Sequence, residues 1–84
     1  MTKVEKHLQA LRDAQSQLDW LKLSAALKAL GYQLDESSAG SRVIFVHKQD
    51  SSDRIYMHKP HPRNYIRAGT LKALKDYLKQ RGHL

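Results

Sequence analysis

The 84-residue chain contains no cysteine, so neither a disulfide framework nor a thiolate zinc site is available to reinforce its core. That absence suits a reducing compartment. Apolar residues never run on for the roughly 18 to 20 positions that a membrane-spanning helix needs. The charged start, with Glu5 among its first residues, leads into no apolar signal-peptide region. A soluble, unprocessed, cytoplasmic protein with no membrane partner is therefore expected. Internal repeats and low-complexity tracts are also missing, which sets aside solenoids and long linkers. A chain of this length has room for one modest core, burying roughly 60 to 65% of the surface that its unfolded form exposes.

The most informative scarcity is of acid in the last third. Residues 1–53 balance Lys3, Lys6, Arg12, Lys22, Lys28, Arg42 and Lys48 against Glu5, Asp13, Asp19, Asp35, Glu36, Asp50 and Asp53. Residues 54–84 set Arg54, Lys59, Arg63, Arg67, Lys72, Lys75, Lys79 and Arg81 against Asp76 alone, so the whole formal charge of +7 resides there. Clustered Lys and Arg gain by displacing counterions from a phosphate backbone, so the asymmetry points to a polyanionic partner, with a basic surface kept for solubility as the plainer alternative.

Val4, Leu8 and Leu11 fall at i, i+4 and i+7, a narrow helical stripe, and Thr2 with Glu5 three residues on matches a capping box. A second helix is marked by Trp20, Leu23, Leu27 and Leu30, with Asp19 or Ser16 as its cap and Gly31 as its stop. Nothing between Ala14 and Leu18 is a strong breaker, so two helices and one longer helix both fit. Residues 32–35 suit a short strand, residues 36–40 a polar turn, and residues 42–47 (Arg-Val-Ile-Phe-Val-His) a central strand. Residues 54–58 alternate, Ile55 and Met57 on one face and Arg54, Tyr56 and His58 on the other, and Pro60 and Pro62 end that strand. In the last helix Thr70 is the expected cap, Leu71, Leu74 and Leu78 the core stripe, and Gly82 the terminator. Lys72, Lys75 and Lys79 form a second stripe, centred roughly 100° from the leucines. The order α, α, β, β, β, α predicts an α+β fold, a three-stranded antiparallel sheet with helices on one face.

Leu30-Gly31-Tyr32, then Gly40-Ser41-Arg42-Val43-Ile44-Phe45, then Pro60-His61, then Gly69-Thr70-Leu71-Lys72-Ala73-Leu74 together resemble the HicA toxin family over residues 20–82. The resemblance implies a fold similar to double-stranded-RNA-binding domains, a toxin that cleaves single-stranded mRNA without a metal or other cofactor, and neutralisation by a HicB-type antitoxin protein. It divides the chain into an N-terminal helical extension, residues 1–18, and a HicA-like domain, residues 19–84. One departure stands out: the family pattern has a histidine thought to be catalytic after Gly-Ser, and here that position is Arg42.

A metal-free ribonuclease needs one group to take the proton from the attacking 2′-hydroxyl and another to protonate the leaving oxygen. Imidazole suits both roles because it titrates near neutrality, whereas a guanidinium stays protonated. The catalytic candidates are therefore His58 and His61, with Arg42 bracing the charge that builds at phosphorus. His61 occupies the place of the family's downstream histidine when counted back from Gly69. His47 stands third and reads better as an edge residue. The set His47, His58 and His61 has no zinc spacing and no nearby carboxylate pair, and no metal is expected. Ser41, Arg54, Tyr56, Lys59, Arg63, Arg67, Lys72, Lys75 and Lys79 are the RNA-binding candidates, the arginines and lysines for phosphate and Tyr56 for a base. Tyr65 is read as packing. The competing hypothesis is a non-catalytic RNA-binding module of the same fold; DNA binding is disfavoured because no helix-turn-helix has a basic second helix.

Overall fold

The computed structural model describes residues 2–36 and 40–84, and the chain runs α1 (Lys3–Asp13), β1 (Gln17–Asp19), α2 (Trp20–Ala29), β2 (Tyr32–Asp35), β3 (Arg42–His47), β4 (Arg54–His58), β5 (Tyr65–Arg67) and α3 (Ala68–Gln80). At the start of α1 the capping box closes: Glu5 N donates to Thr2 Oγ1 at 3.2 Å and Thr2 N to Glu5 Oε2 at 3.3 Å. Two of the helix's orphan donors are thereby satisfied. The helix stops at Asp13, which decides for two helices over one long one. Lys75 Nζ, reaching over from α3, donates to the carbonyl oxygens of Arg12 (2.9 Å) and Ala14. A cation thus meets the negative end of α1.

Asp19, of the two expected caps, holds the start of α2, its Oδ1 accepting from Leu21 N at 2.9 Å and Lys22 N at 3.4 Å. Gly31 follows α2 with φ +102°, and a Cβ added there would lie 2.8 Å from His47 Nε2. Glycine is required twice over, by the left-handed backbone and by the ring pressed against it.

The main sheet has the antiparallel order β2-β3-β4. Its register sets Tyr32 opposite His47, Ile44 between Asp35 and Tyr56, and Arg42 opposite His58. Alternation does the rest: Val43 and Phe45 of β3 and Ile55 and Met57 of β4 are buried, while Arg42, Arg54, Tyr56 and His58 are exposed. The helices cover the first set, giving the α+β architecture of double-stranded-RNA-binding domains with its second sheet face bare. Phe45 is wholly buried, its ring centroid 5.9 Å from that of Trp20. Leu23 and Leu27 of α2 and Leu71 and Leu78 of α3 close around it in one hydrophobic cluster. Each such side chain contributes roughly 1.5 to 3 kcal/mol through burial. Leu11 of α1 is also wholly buried in this cluster.

Neither β1 nor β5 is anticipated from the sequence. They pair antiparallel as a separate ribbon, Gln17 opposite Arg67, Leu18 opposite Ile66 and Asp19 opposite Tyr65, with Leu18 and Ile66 buried. The ribbon also moves the start of α3. Thr70 is not its cap; β5 runs directly into the helix, Arg67 takes the cap position with extended backbone, and no side chain caps it. Gly82, at φ +80°, ends the helix as expected. The turn expected over residues 36–40 includes residues 37–39, which lie outside the described ones.

Candidate functional site

The peptide from the end of β4 to the start of α3 folds around an open groove of about 420 Å³. Its walls include Tyr56 and His58 of β4, His61 and Arg63 of the Pro-containing loop, Tyr65 and Arg67 of β5, and Thr70 of α3, over a floor of Met57 and Ile66. The ribbon explains how Arg63, Tyr65 and Arg67 arrive there: pairing with β1 anchors the chain just after the loop, and Asn64 O accepts from Trp20 N at 2.6 Å. Arg63 lies over the Tyr65 ring, 5.9 Å from its centroid, a cation–π contact that steadies both. No carboxylate lines this groove. Tyr56 is 66% exposed, far too open for a packing residue. Tyr65 is half-buried.

Arg42, the first residue of β3, and Ser41 just before it lie across from the end of β4. Lys59 N donates to Ser41 O at 2.7 Å, which makes Ser41 and Lys59 a hydrogen-bonded rung. The next rung, Arg42 opposite His58, is therefore the non-hydrogen-bonded kind, in which facing side chains come closest, with Cα atoms about 4.5 Å apart. His58 thus lies one strand across from the position where the family pattern carries its histidine. Ser41 Oγ and His58 Nδ1 are hydrogen-bonded at 3.3 Å.

Other expected contributors are placed elsewhere. Lys59 reaches Glu36 at 3.8 Å. Arg54 Nε donates to Ser51 O at 2.7 Å and lines an adjoining groove of about 310 Å³ between β4 and α3. On α3, Thr70, Ala73 and Tyr77 face β4, whereas Lys72, Lys75 and Lys79 line a depression beside Ala14 and Gln15 on the opposite flank. Within that stripe Lys75 is spent on the α1 carbonyls, and Lys72 pairs with Asp76 at 2.8 Å, which raises the lysine's pKa and lowers the carboxylate's. The structure therefore gathers His58, His61, Tyr56, Arg63 and Arg67, sets Arg42 across the strand from His58, and does not join the lysine stripe to them.

A second polar cluster, at the far end of β3, gave no signal in the sequence. Asp53, 4% exposed, accepts from Tyr32 Oη at 2.8 Å, Tyr77 Oη at 2.6 Å and His83 Nε2 at 2.9 Å. Burial pushes this carboxyl up, but the bonds from His83, Tyr77 and Tyr32 outweigh it and hold the pKa at about 2. The same burial, with the bond to Asp53, pushes the Tyr32 and Tyr77 hydroxyls above the usual phenol range. His47 stacks on His83, 5.1 Å between centroids and 11° from parallel. Donor atoms of His47, Asp53 and His83 lie within 4.8 Å of one another, the spacing of a cation site. Yet His47 Nε2 donates to Leu30 O at 2.9 Å and its Nδ1 accepts from Gln49 N at 3.2 Å. With both ring nitrogens engaged and Asp53 taking three donors, the cluster is a buried brace tying β2, the β3–β4 turn and the end of α3 together. His47 consequently stands about 16 Å from Arg42 along β3, at 3.3 Å per residue, and the three histidines at 47, 58 and 61 do not share one centre.

With this geometry in hand, the family comparison is decisive: a model described as the HicA toxin of bacterial toxin-antitoxin systems matches residues 20–82. The chain belongs to the HicA toxin family. Comparison with curated proteins and with solved structures returned no match. As a HicA toxin it has an antitoxin as its partner class. The matched span runs from the first residue of α2 past the end of α3 and so includes the whole groove. Among the described residues, no helix of this HicA chain is long and apolar enough to cross a membrane.

Proposed function

We propose that this HicA protein is an mRNA-cleaving toxin, active in the cytoplasm without a metal and neutralised by a HicB-type antitoxin. The observation that carries the reading is the convergence of His58 and His61 with Arg63 and Arg67 around one open groove whose lining holds no carboxylate among the described residues, with Arg42 across the strand from His58. One imidazole takes the proton from a ribose 2′-hydroxyl as that oxygen attacks phosphorus. The other protonates the departing 5′-oxygen, leaving a 2′,3′-cyclic phosphate. Arg42, beside His58, holds the charge that accumulates on the phosphoryl oxygens, and Arg63 and Arg67 grip the flanking phosphates. Tyr56 presents a bare ring for a base that has left its stack, which favours single-stranded RNA. The groove's lining offers a hard cation such as Mg²⁺ no anionic carboxylate ligand, and this supports acid–base catalysis by histidine. Residues 1–18 are an extension to the toxin domain of residues 19–84, its helix docked through Leu11 and its last two residues, Gln17 and Leu18, paired with β5.

The replacement of the family's histidine by Arg42 favours a second reading, an RNA-binding module that has lost catalysis. Incubating the purified protein with a long single-stranded RNA in EDTA at neutral pH separates the two. Cleavage that His58→Ala or His61→Ala reduces by about 10² to 10⁴ is expected. Intact RNA that nevertheless shifts on a native gel would leave only the binding module.

A further inference from the structure

We propose that Ser41 is a positioning residue for catalysis: its hydroxyl accepts the Nδ1 hydrogen of His58, so that Nε2 presents its lone pair to the groove as general base. The inference rests on the catalytic reading above and adds the direction of proton transfer, with His61 left as the acid. Three observations support it. Ser41 Oγ lies 3.3 Å from His58 Nδ1. The Ser41 backbone is itself pinned, its carbonyl accepting from Lys59 N at 2.7 Å on the rung next to His58. Nε2 of His58 has no hydrogen-bond partner among the described residues, and His58 lines the groove.

A hydroxyl suits this post. While imidazole waits as a base, Nδ1–H donates to Oγ and Nε2 holds the lone pair. After Nε2 has taken the 2′-hydroxyl proton, the same Nδ1–H···Oγ bond persists, so proton transfer needs no reorganisation of the ring. Arg42, the cross-strand neighbour, stands on the adjoining rung and leaves Nδ1 of His58 to the neutral Ser41 hydroxyl.

The test compares the full-length wild type with Ser41→Ala and Ser41→Thr. One arm is ¹⁵N NMR of the His58 ring nitrogens in the absence of RNA; the other is steady-state cleavage of a single-stranded RNA oligonucleotide across pH. The wild type is expected to hold mostly the Nδ1–H tautomer. Ser41→Ala should revert toward Nε2–H and lose about five- to tenfold in kcat at unchanged KM, the loss expected for one neutral hydrogen bond. Ser41→Thr, which restores a hydroxyl, should recover both. An unchanged tautomer in Ser41→Ala overturns the proposal. So does a loss confined to KM, which would make Ser41 a contact to RNA instead. Wild-type protein that cleaves no RNA, yet shows the tautomer change, would sink the catalytic reading while leaving the Ser41–His58 pairing established.

Discussion

The two ends of β3 carry two polar clusters, each with a pair of histidines, and they are built on opposite terms. At the His47 end every partner is supplied from within: Asp53 is saturated by two tyrosines and His83, and His47 is bonded at both nitrogens. At the Arg42 end His58 and His61 stand exposed among cations, and among the described residues His58 is held at one nitrogen only. A saturated cluster has no capacity left for a ligand, so its worth is in stability. An unsaturated one contributes little to stability and keeps its donors and acceptors for something else.

That contrast is breakable. Its largest consequence is at Asp53, a buried carboxylate, where substitution by alanine strips one buried and two part-buried donors of their acceptor and should cost about 3 to 5 kcal/mol, measured by urea denaturation. A loss below about 1 kcal/mol would show that the cluster braces nothing. Next comes acid. The Asp53 carboxyl sits at about 2 in the fold against an ordinary 3.8. A depressed folded value means that this stability is complete above the unfolded pKa and disappears as pH falls from about 4 toward 2, a loss of about 2 kcal/mol. Urea midpoints taken from pH 5 downward should fall through that window in the wild type, and much less in Asp53→Asn.

Lys75→Met keeps the aliphatic stem but removes the bonds to the α1 carbonyls, and about 1 kcal/mol of stability should go with them. The same change at Lys72, exposed and paired only with Asp76, should be silent in the melting curve. Equally small effects on stability are expected at the two histidines proposed for catalysis. His58→Ala and His61→Ala should each leave unfolding free energy within about 0.5 kcal/mol of wild type while reducing cleavage by about 10² to 10⁴. If either unfolds the protein as Asp53→Ala does, the two ends of β3 are not the opposites drawn here.

Much of the fold can be read from local pattern, because the signals that form it are local. Thr2 and Glu5 close a capping box at i and i+3, Gly31 stops α2, and the alternation of Arg54 to His58 shows which side of β4 is wet. The β1–β5 ribbon is invisible by the same logic. Three residues are too few to display a period, Gln17 and Asp19 have no strand preference, and Leu18 finds its reason in Ile66 far along the chain. The start of α3 follows from that hidden pairing, which overrides Thr70 as a cap.

The proposed site divides similarly. The sheet register sets Arg42 opposite His58, while His61 comes to the groove from the loop that follows β4. The lysine stripe is legible as a stripe but not as an orientation: Leu71, Leu74 and Leu78 fix the rotation of α3, and that rotation carries the lysines away from the groove. Asp53 reads as an ordinary turn residue because its partners Tyr32, Tyr77 and His83 lie on three other segments.

The ribbon also sets an order of events during synthesis. Gln17, Leu18 and Asp19 are made early but have no strand to pair with until Tyr65, Ile66 and Arg67 have left the ribosome, and the whole main sheet is translated in between. Closing so long a loop is an entropic cost that only the completed pairing offsets. Arg63, Tyr65 and Arg67 take up their places beside the histidines in that same late step. The groove of a nascent chain therefore cannot assemble until β5 has emerged, well after β1 and the whole main sheet have been made.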